Sequence, residues 1–99
     1  MLEQPLKWFE EPRELDLPYK NLRALPIGDE VLVTLQLNGD ERSVVVPARA
    51  VNQKDQKVTA WAVATTDDFV LIDLPPSSFG ANRLKIRKAL FDEIEAVKT

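Results

Sequence analysis

Cysteine and histidine are both absent from the 99-residue sequence, and glycine occurs only three times. Without cysteine there is no disulfide and no thiol chemistry. Without histidine the chain lacks the commonest general acid–base residue, and the two absences together remove nearly all zinc, haem and iron–sulfur ligands. Gly28, Gly39 and Gly80 are too far apart to form a phosphate-binding glycine loop. We therefore expect no enzyme and no resident cofactor.

Long apolar runs are missing as well. The longest is Phe69-Val70-Leu71-Ile72, far short of the roughly 20 residues that span a bilayer, and the first residues lack the apolar region of a secretory signal. Thirteen basic against sixteen acidic residues give a formal charge of −3, without the broad positive field of a dedicated nucleic-acid-binding protein. We expect a cytoplasmic protein with no membrane segment.

The length fits one domain, residues 1–99, and its first part is rich in proline. Residues 1–28 contain four prolines spaced six to eight residues apart: Pro5, Pro12, Pro18 and Pro26. Proline excludes a helix interior and removes a donor from a β-ladder. We therefore predict an N-terminal arm, with at most two short helical turns, that packs on the core with its acidic middle (Glu10 to Asp16) over basic residues 83–87.

From residue 29 the pattern changes to that of β-strands. Apolar residues alternate from Val31 to Leu37, and Asn38-Gly39 is a strong hairpin signal because both residues tolerate positive φ. A two-residue loop would pair Val33 with Val44, whereas a four-residue loop would pair Leu35 with Val44. Either register keeps apolar residues on one face.

A second strand pair is predicted at residues 58–64 and 69–74. With Asp67-Asp68 as the loop, one face carries Trp61, Val63, Val70, Ile72 and Leu74. Both faces of this pair are apolar, as in a sheet covered on both sides. Trp61 is accordingly predicted to be a core residue.

The C-terminal part alternates over residues 83–87, and apolar residues take helical spacing from residue 88. A fifth strand followed by a helix over 88–98 is preferred to a helix beginning at Asn82. Four strands, a tight turn and a short fifth strand resemble the Src-homology-3-like small barrels. This resemblance covers the architecture of residues 29–87 and implies no particular function. The predicted fold is mainly β: a five-stranded SH3-like barrel or curved antiparallel meander, with the N-terminal arm and a C-terminal helix.

Two clusters are candidate binding sites. Arg83, Lys85, Arg87 and Lys88 would place positive charge along one strand face, suited to phosphate contacts. A charged edge strand that prevents aggregation explains them equally simply and is preferred. Trp8, Phe9 and Tyr19 are candidate partner contacts, because aromatic residues are common in binding hot spots. We prefer them as anchors that hold the arm to its own barrel.

Other chemistry-bearing residues are explained by turns. Asp67, Asp68 and Asp73 would suit Mg²⁺ or Ca²⁺, but the spacing and glycine of a calcium loop are missing. Ser77-Ser78 would need a lysine base to act as a nucleophile and has no residue to orient it. We predict neither a metal site nor a catalytic residue.

The composition and patterns favour a small, soluble, non-catalytic binding or adaptor domain with a protein partner, present as a monomer or weak homodimer. The first alternative is weak nucleic-acid or ribosome-associated binding through residues 83–88. The second is a structural subunit that self-associates through a strand edge or through the helix face of Leu90, Phe91, Ile94 and Val97.

Overall fold

A computed structural model describes residues 5–26, 28–37, 40–77 and 80–97. In chain order, these contain β1 (Lys7–Ala24), β2 (Glu30–Leu37), β3 (Asp40–Pro47), a 3-10 turn (Ala48–Ala50), β4 (Val51–Asn52), β5 (Lys57–Thr65), β6 (Phe69–Ser77), β7 (Gly80–Arg87) and α1 (Lys88–Val97). No helix within these ranges is both long enough and apolar enough to cross a membrane.

The strands form one antiparallel sheet in the order β3-β2-β1-β5-β6-β7, with the short β4 paired to β5. The sheet curls into a nearly closed barrel, and α1 follows its last strand. The predicted mainly-β barrel with a C-terminal helix is therefore confirmed. The strands do not follow a simple meander, because β1 lies between β2 and β5.

The position of β1 corrects the prediction for the N-terminal segment. Residues 7–24 form no helical turns, and they do not wrap the barrel as a separate arm. The first part of β1, from Lys7 to Pro18, pairs with β5, and the last part, from Tyr19 to Ala24, pairs with β2. One 18-residue strand thus joins the two halves of the barrel.

The four prolines fit this strand because each falls where a ladder donor is not needed. Pro12 lies within the irregular stretch between the Trp8 and Arg13 pairings, and Pro18 is the last residue paired with β5 before β1 changes partner. Pro5 and Pro26 lie just outside the strand. Proline at a bulge or strand end costs the sheet no hydrogen bond. Proline spacing alone was therefore insufficient evidence against a long strand.

Alternating apolar residues fill the barrel. On β1 these are Leu15, Leu17 and Tyr19, and the largest fully buried side chains of the other strands are Val33, Leu35, Val46, Val58, Val70 and Ile72. No polar or charged residue is buried within the described part of the chain. The barrel interior is thus an apolar core, and burial of apolar surface is the main source of stability in a folded domain.

The pairing of β2 with β3 distinguishes the two predicted hairpin registers. Val33 lies opposite Val44, and Val31 lies opposite Val46, as a two-residue loop requires. This register is confirmed, although Asn38 and Gly39 themselves lie outside the described residues.

A β-bulge between Ala62 and Ala64 corrects the predicted faces of β5 and β6. The small residues of β5 (Ala60, Ala62 and Ala64) are fully buried together with Ile72 of β6. Trp61 is only partly buried and lies on the opposite, outer face. The extra residue of the bulge shifts the register by one, so that Ala62 and not Val63 lies opposite Ile72. The prediction that Trp61 belongs to the core is therefore wrong.

The C-terminal part follows the preferred prediction of a strand and then a helix. Leu84 and Ile86 of β7 are buried, and α1 begins at Lys88. The helix buries Leu90 and Phe91, and Phe91 stacks on Phe9 of β1 with 6.5 Å between ring centroids. The apolar face of α1 thus packs against its own barrel.

The barrel has one seam, between its two edge strands β3 and β7. Asn82 of β7 spans this seam. Its Nδ2 donates across the seam to the carbonyl oxygen of Val45 of β3 at 2.7 Å. The same Nδ2 donates to the carbonyl oxygen of Pro75 of β6, the neighbouring strand in the sheet, at 2.9 Å. The antiparallel pairings from β3 to β7 make these two strands antiparallel to each other. Across the seam β3 packs mainly against β6, and the Asn82 side chain links β7 to β3.

Candidate functional site

A row of side chains crosses the outer face of the barrel over four strands. Glu14 of β1 lies opposite Trp61 of β5, Trp61 lies opposite Asp73 of β6, and Asp73 lies opposite Arg83 of β7. Residues directly opposite each other in a sheet share one face and have neighbouring side chains. The row therefore combines an aromatic centre with charged residues on both sides.

An ion pair fixes the β7 end of this row. Arg83 donates to both carboxylate oxygens of Asp73, from Nε at 2.6 Å and from Nη2 at 3.0 Å. Hydrogen bonding to Asp73, and then the negative charge of its carboxylate, raises the pKa of Arg83 above its ordinary value. The same guanidinium lies over Trp8, 5.6 Å from the ring centroid, at a distance typical of a cation–π interaction. Arg83 is thus held in place by two residues of its own chain.

Three shallow cavities share Trp61, with volumes of about 380, 340 and 450 Å³. We call their common surface the Trp61 face. The residues that line it are Pro12, Arg49, Thr59, Trp61, Val63, Asp73, Pro75, Pro76, Asn82 and Arg83, together with the buried Ala50 and Leu74. Prolines and the indole ring make up most of its centre. Small-molecule and peptide sites are commonly concave and apolar with a few polar groups at the margin.

The elements that form the Trp61 face explain its shape. Pro75 and Pro76 lie in the part of β6 where the pairing with β7 shifts register, between Leu74 and Ser77. Pro12 lies in the corresponding irregular part of β1. The strands on both sides of Trp61 are thus irregular where they line its cavities, and a bulge bends the strand that contains it.

The predicted basic residues do share a strand face, but they do not act as one row. Arg83, Lys85 and Arg87 are exposed on β7, and Leu84 and Ile86 between them are buried. Arg83 is paired with Asp73, and the ammonium of Lys88 lies 3.5 Å from Asp92 on α1. Lys85 lies 4.8 Å from the ring centroid of Phe69. Only the middle of the row, Lys85 and Arg87, has no ion pair with another described residue.

The acidic residues of β1 do not cover this row. Two strands, β5 and β6, separate β1 from β7 in the sheet, and Arg83 pairs with Asp73 of β6 instead. The predicted contact between the acidic middle of the N-terminal segment and residues 83–87 is therefore wrong.

The three candidate partner residues lie in different environments. Tyr19 is 8% exposed and belongs to the core, and Phe9 is partly buried against Phe91 with Arg13 over its ring at 5.7 Å. Trp8 is 59% exposed. Tyr19 and Phe9 thus anchor β1 and the helix, whereas Trp8 is an open aromatic surface beside the Trp61 face.

The remaining candidate residues occupy turns and strand ends. The hydroxyl of Thr66 accepts from the backbone N–H of Asp68 at 3.2 Å and of Phe69 at 3.0 Å, which forms the β5–β6 turn. Asp73 lies five residues beyond Asp68, or about 16 Å along the chain at ~3.3 Å per residue. The described residues contain no group of three acidic side chains placed to hold a metal ion. Ser77 ends β6, and Ser78 lies outside the described residues.

Sequence reasoning missed Trp61 as a surface residue. The signal that was available is the run of alanines at positions 60, 62 and 64, which alternate with Trp61 and Val63. Small residues on one face of a strand suit a tightly curved barrel interior, and this places the larger residues outside.

Comparisons with protein-family models, with curated proteins and with solved structures found no match to this chain.

Proposed function

We propose that the chain is a non-catalytic binding domain that recognises a protein partner with the Trp61 face. The observation that carries this proposal is a partly exposed tryptophan at the centre of three cavities lined by Pro12, Pro75 and Pro76. Tryptophan and arginine are the residues most enriched in binding hot spots, and a concave apolar surface lets one side chain of a partner lose its hydration.

The charges around the Trp61 face indicate the chemistry of the partner. Arg49 lines the same cavity as Trp61, is exposed, and has no ion pair with another described residue. On the other side, Asp73 and Arg83 neutralise each other. We therefore propose a protein segment that places an apolar side chain on Trp61 and a carboxylate beside Arg49.

Self-association through the helix is less well supported. Leu90 and Phe91 of α1 are buried, and Ile94 packs against the core. The apolar helix face thus already has a partner within the chain. Nucleic-acid binding through residues 83–88 is also less well supported, because Arg83 and Lys88 are engaged by Asp73 and Asp92.

Two broader proposals rest on the sequence. The first is that the barrel is related to the SH3-like barrels: its curved antiparallel strands support this, although β1 interrupts the expected strand order. The second is that the protein acts in the cytoplasm, which the absence of cysteine supports.

The test is a peptide-library selection against the full chain, followed by anisotropy measurements with the selected peptides. We expect enrichment of peptides that combine a large apolar residue with an acidic one. Trp61→Ala should weaken binding by at least about tenfold, as expected for a hot-spot residue, and Arg49→Glu should weaken it by charge repulsion.

The matched controls change the same chemistry elsewhere. Phe69→Ala removes another exposed aromatic ring, and Arg87→Glu reverses another exposed charge; both should retain binding. Circular dichroism checks that each variant is folded. A selection that enriches no peptide, or peptides that bind the Trp61→Ala variant as tightly as the original, would contradict the proposal.

A further inference from the structure

The seam between β3 and β7 is bridged by Asn82 at one end and borders a cavity at the other. Asn82 bonds to the carbonyl of Val45 at the first end. Because the two strands are antiparallel, moving from Asn82 towards Arg87 on β7 corresponds to moving from Val45 towards Arg42 on β3. At that second end there is a cavity of about 330 Å³, more enclosed than those of the Trp61 face.

Three cations surround this cavity. Arg42 belongs to β3, and Lys85 and Arg87 belong to β7. The apolar residues that line the cavity are Leu37, Phe69, Leu90 and the buried Ile86. No carboxylate is among the described lining residues. Like charges brought together repel one another, and neither Arg42 nor Arg87 has an ion pair with another described residue. Convergence of three positive charges in a chain of net charge −3 favours an anion between them.

The helix adds to the positive potential at this point. Helix α1 begins at Lys88, immediately after Arg87, and has no acidic residue in its first turn. Leu90 of that first turn lines the cavity. The N-terminal end of a ten-residue helix carries a partial positive charge that favours anions. The Lys88 N–H is already donated to the carbonyl of Asp68 at 2.9 Å, so the helix contributes through its field and not through that group.

The lining also selects for an apolar group beside the anion. Phe69 is 39% exposed and lies against the Lys85 ammonium, and Leu37 and Leu90 extend the apolar surface into the cavity. The volume is at the small end of the range for small-molecule sites, about 300–1,000 Å³. Arginine binds phosphate with two parallel hydrogen bonds, and an aromatic ring stacks on phenylalanine.

We propose that this cavity binds a small phosphate monoester that carries an aromatic group. The phosphate lies between Arg42 and Arg87 with Lys85 beside it, and the ring packs on Phe69. A polynucleotide is a poorer match, because Arg83 and Lys88, which would extend the run of phosphate contacts, are paired with Asp73 and Asp92. The site shares no lining residue with the Trp61 face, so the two proposals succeed or fail separately.

The test uses phenyl phosphate, inorganic phosphate and phenol as separate probes of the full chain, followed by amide chemical shifts and calorimetry. Phenyl phosphate should bind with a dissociation constant below about 1 mM, which corresponds to a weak but specific site. The amides of Lys85, Arg87 and Leu90 should shift most. Inorganic phosphate should bind about tenfold more weakly, because it lacks the ring, and phenol should not bind detectably.

Matched variants separate a built site from general charge attraction. Arg42→Gln and Arg87→Gln should each weaken phenyl phosphate binding by about tenfold or more, because each removes a bidentate donor. Arg49→Gln removes the same charge on the Trp61 face and should leave binding unchanged. All three residues are exposed, and we expect wild-type melting temperatures.

Three results would overturn the proposal. One is the absence of phenyl phosphate binding up to about 10 mM, where even a weak site would be occupied. A second is an equal loss of affinity in the Arg49→Gln variant, which would show attraction by net charge alone. The third is a single-stranded oligonucleotide that binds far more tightly than phenyl phosphate and loses affinity steeply with salt, which would identify a polynucleotide surface instead.

Discussion

Replacement of Leu17 by alanine tests the central position of β1. Leu17 is fully buried and lies opposite Val58 of β5. Truncation of a fully buried leucine removes its transfer free energy and leaves a cavity, at a cost of about 2–5 kcal/mol. Domains of this size have a total free energy of unfolding of about 5–15 kcal/mol. The substitution therefore removes a large fraction of the stability.

Thermal and urea unfolding followed by circular dichroism measure this loss. Each kcal/mol corresponds to about 4–8 °C in the melting temperature of a domain of this size, so Leu17→Ala should lower it by at least about 8 °C. The matched control is Asp16→Ala on the same strand. Asp16 is exposed, and its replacement should change the free energy of unfolding by less than about 0.5 kcal/mol.

Native-state hydrogen exchange distinguishes a central strand from a detachable arm. A strand that pairs with β5 and buries its side chains in the core opens only when the whole barrel unfolds, whereas a peripheral arm opens at much lower free energy. The amides of Leu15 and Leu17 should therefore exchange with the same free energy as those of Ile72 and Val58. Exchange of the β1 amides that is much faster than that of β5 and β6 would refute the sheet order described above, whatever the effect of Leu17→Ala.

Three further predictions concern the seam, the hairpin and metal ions. Asn82→Ala removes the hydrogen bond across the seam to Val45 and the hydrogen bond to Pro75 of β6, and it should cost about 1–3 kcal/mol in urea unfolding; an unchanged midpoint would mean that the seam is closed by other contacts. Gly39→Val should cost about 1–3 kcal/mol because a two-residue hairpin loop needs positive φ at this position, and an unchanged melting temperature would argue against that loop. EDTA should leave the melting temperature unaltered, since we expect no bound ion whose removal would lower the stability of the folded state; a drop that Mg²⁺ or Ca²⁺ restores would point to a site at Asp67 and Asp68.

The features that depend on local periodicity were available from the sequence. Alternation over residues 31–37 and a turn at Asn38-Gly39 predicted a hairpin with two possible registers, and the structure has the one with Val33 opposite Val44. The change from period two to helical spacing at Lys88 predicted where α1 begins. Both signals involve residues close in sequence, whose geometry is set by the backbone of one element.

The features that depend on pairing between distant elements were not available from the sequence. The same period-two signal exists in β1, where Leu15, Leu17 and Tyr19 alternate with polar residues or proline. The prolines concealed it, because the sequence does not show which donors a ladder uses. A backbone N–H donor is dispensable at Pro12 because the pairing of β1 with β5 is irregular there. It is dispensable at Pro18 because β1 changes partner from β5 to β2 after that residue.

The outward orientation of Trp61 and the cation cluster at the seam also depended on the tertiary structure. A single bulge after Ala62 shifts the register between β5 and β6, so that Ala62 and not Val63 shares a face with Ile72, and bulges leave little trace in composition. Arg42 is 43 positions from Lys85 in the chain, and only closure of the barrel brings them to one cavity. The sequence by itself therefore determined the strands that follow residue 29, the position of the hairpin and the helix. The order of the strands, the outer face and both candidate sites were decided by how the barrel closes, because closure depends on contacts between residues far apart in the chain.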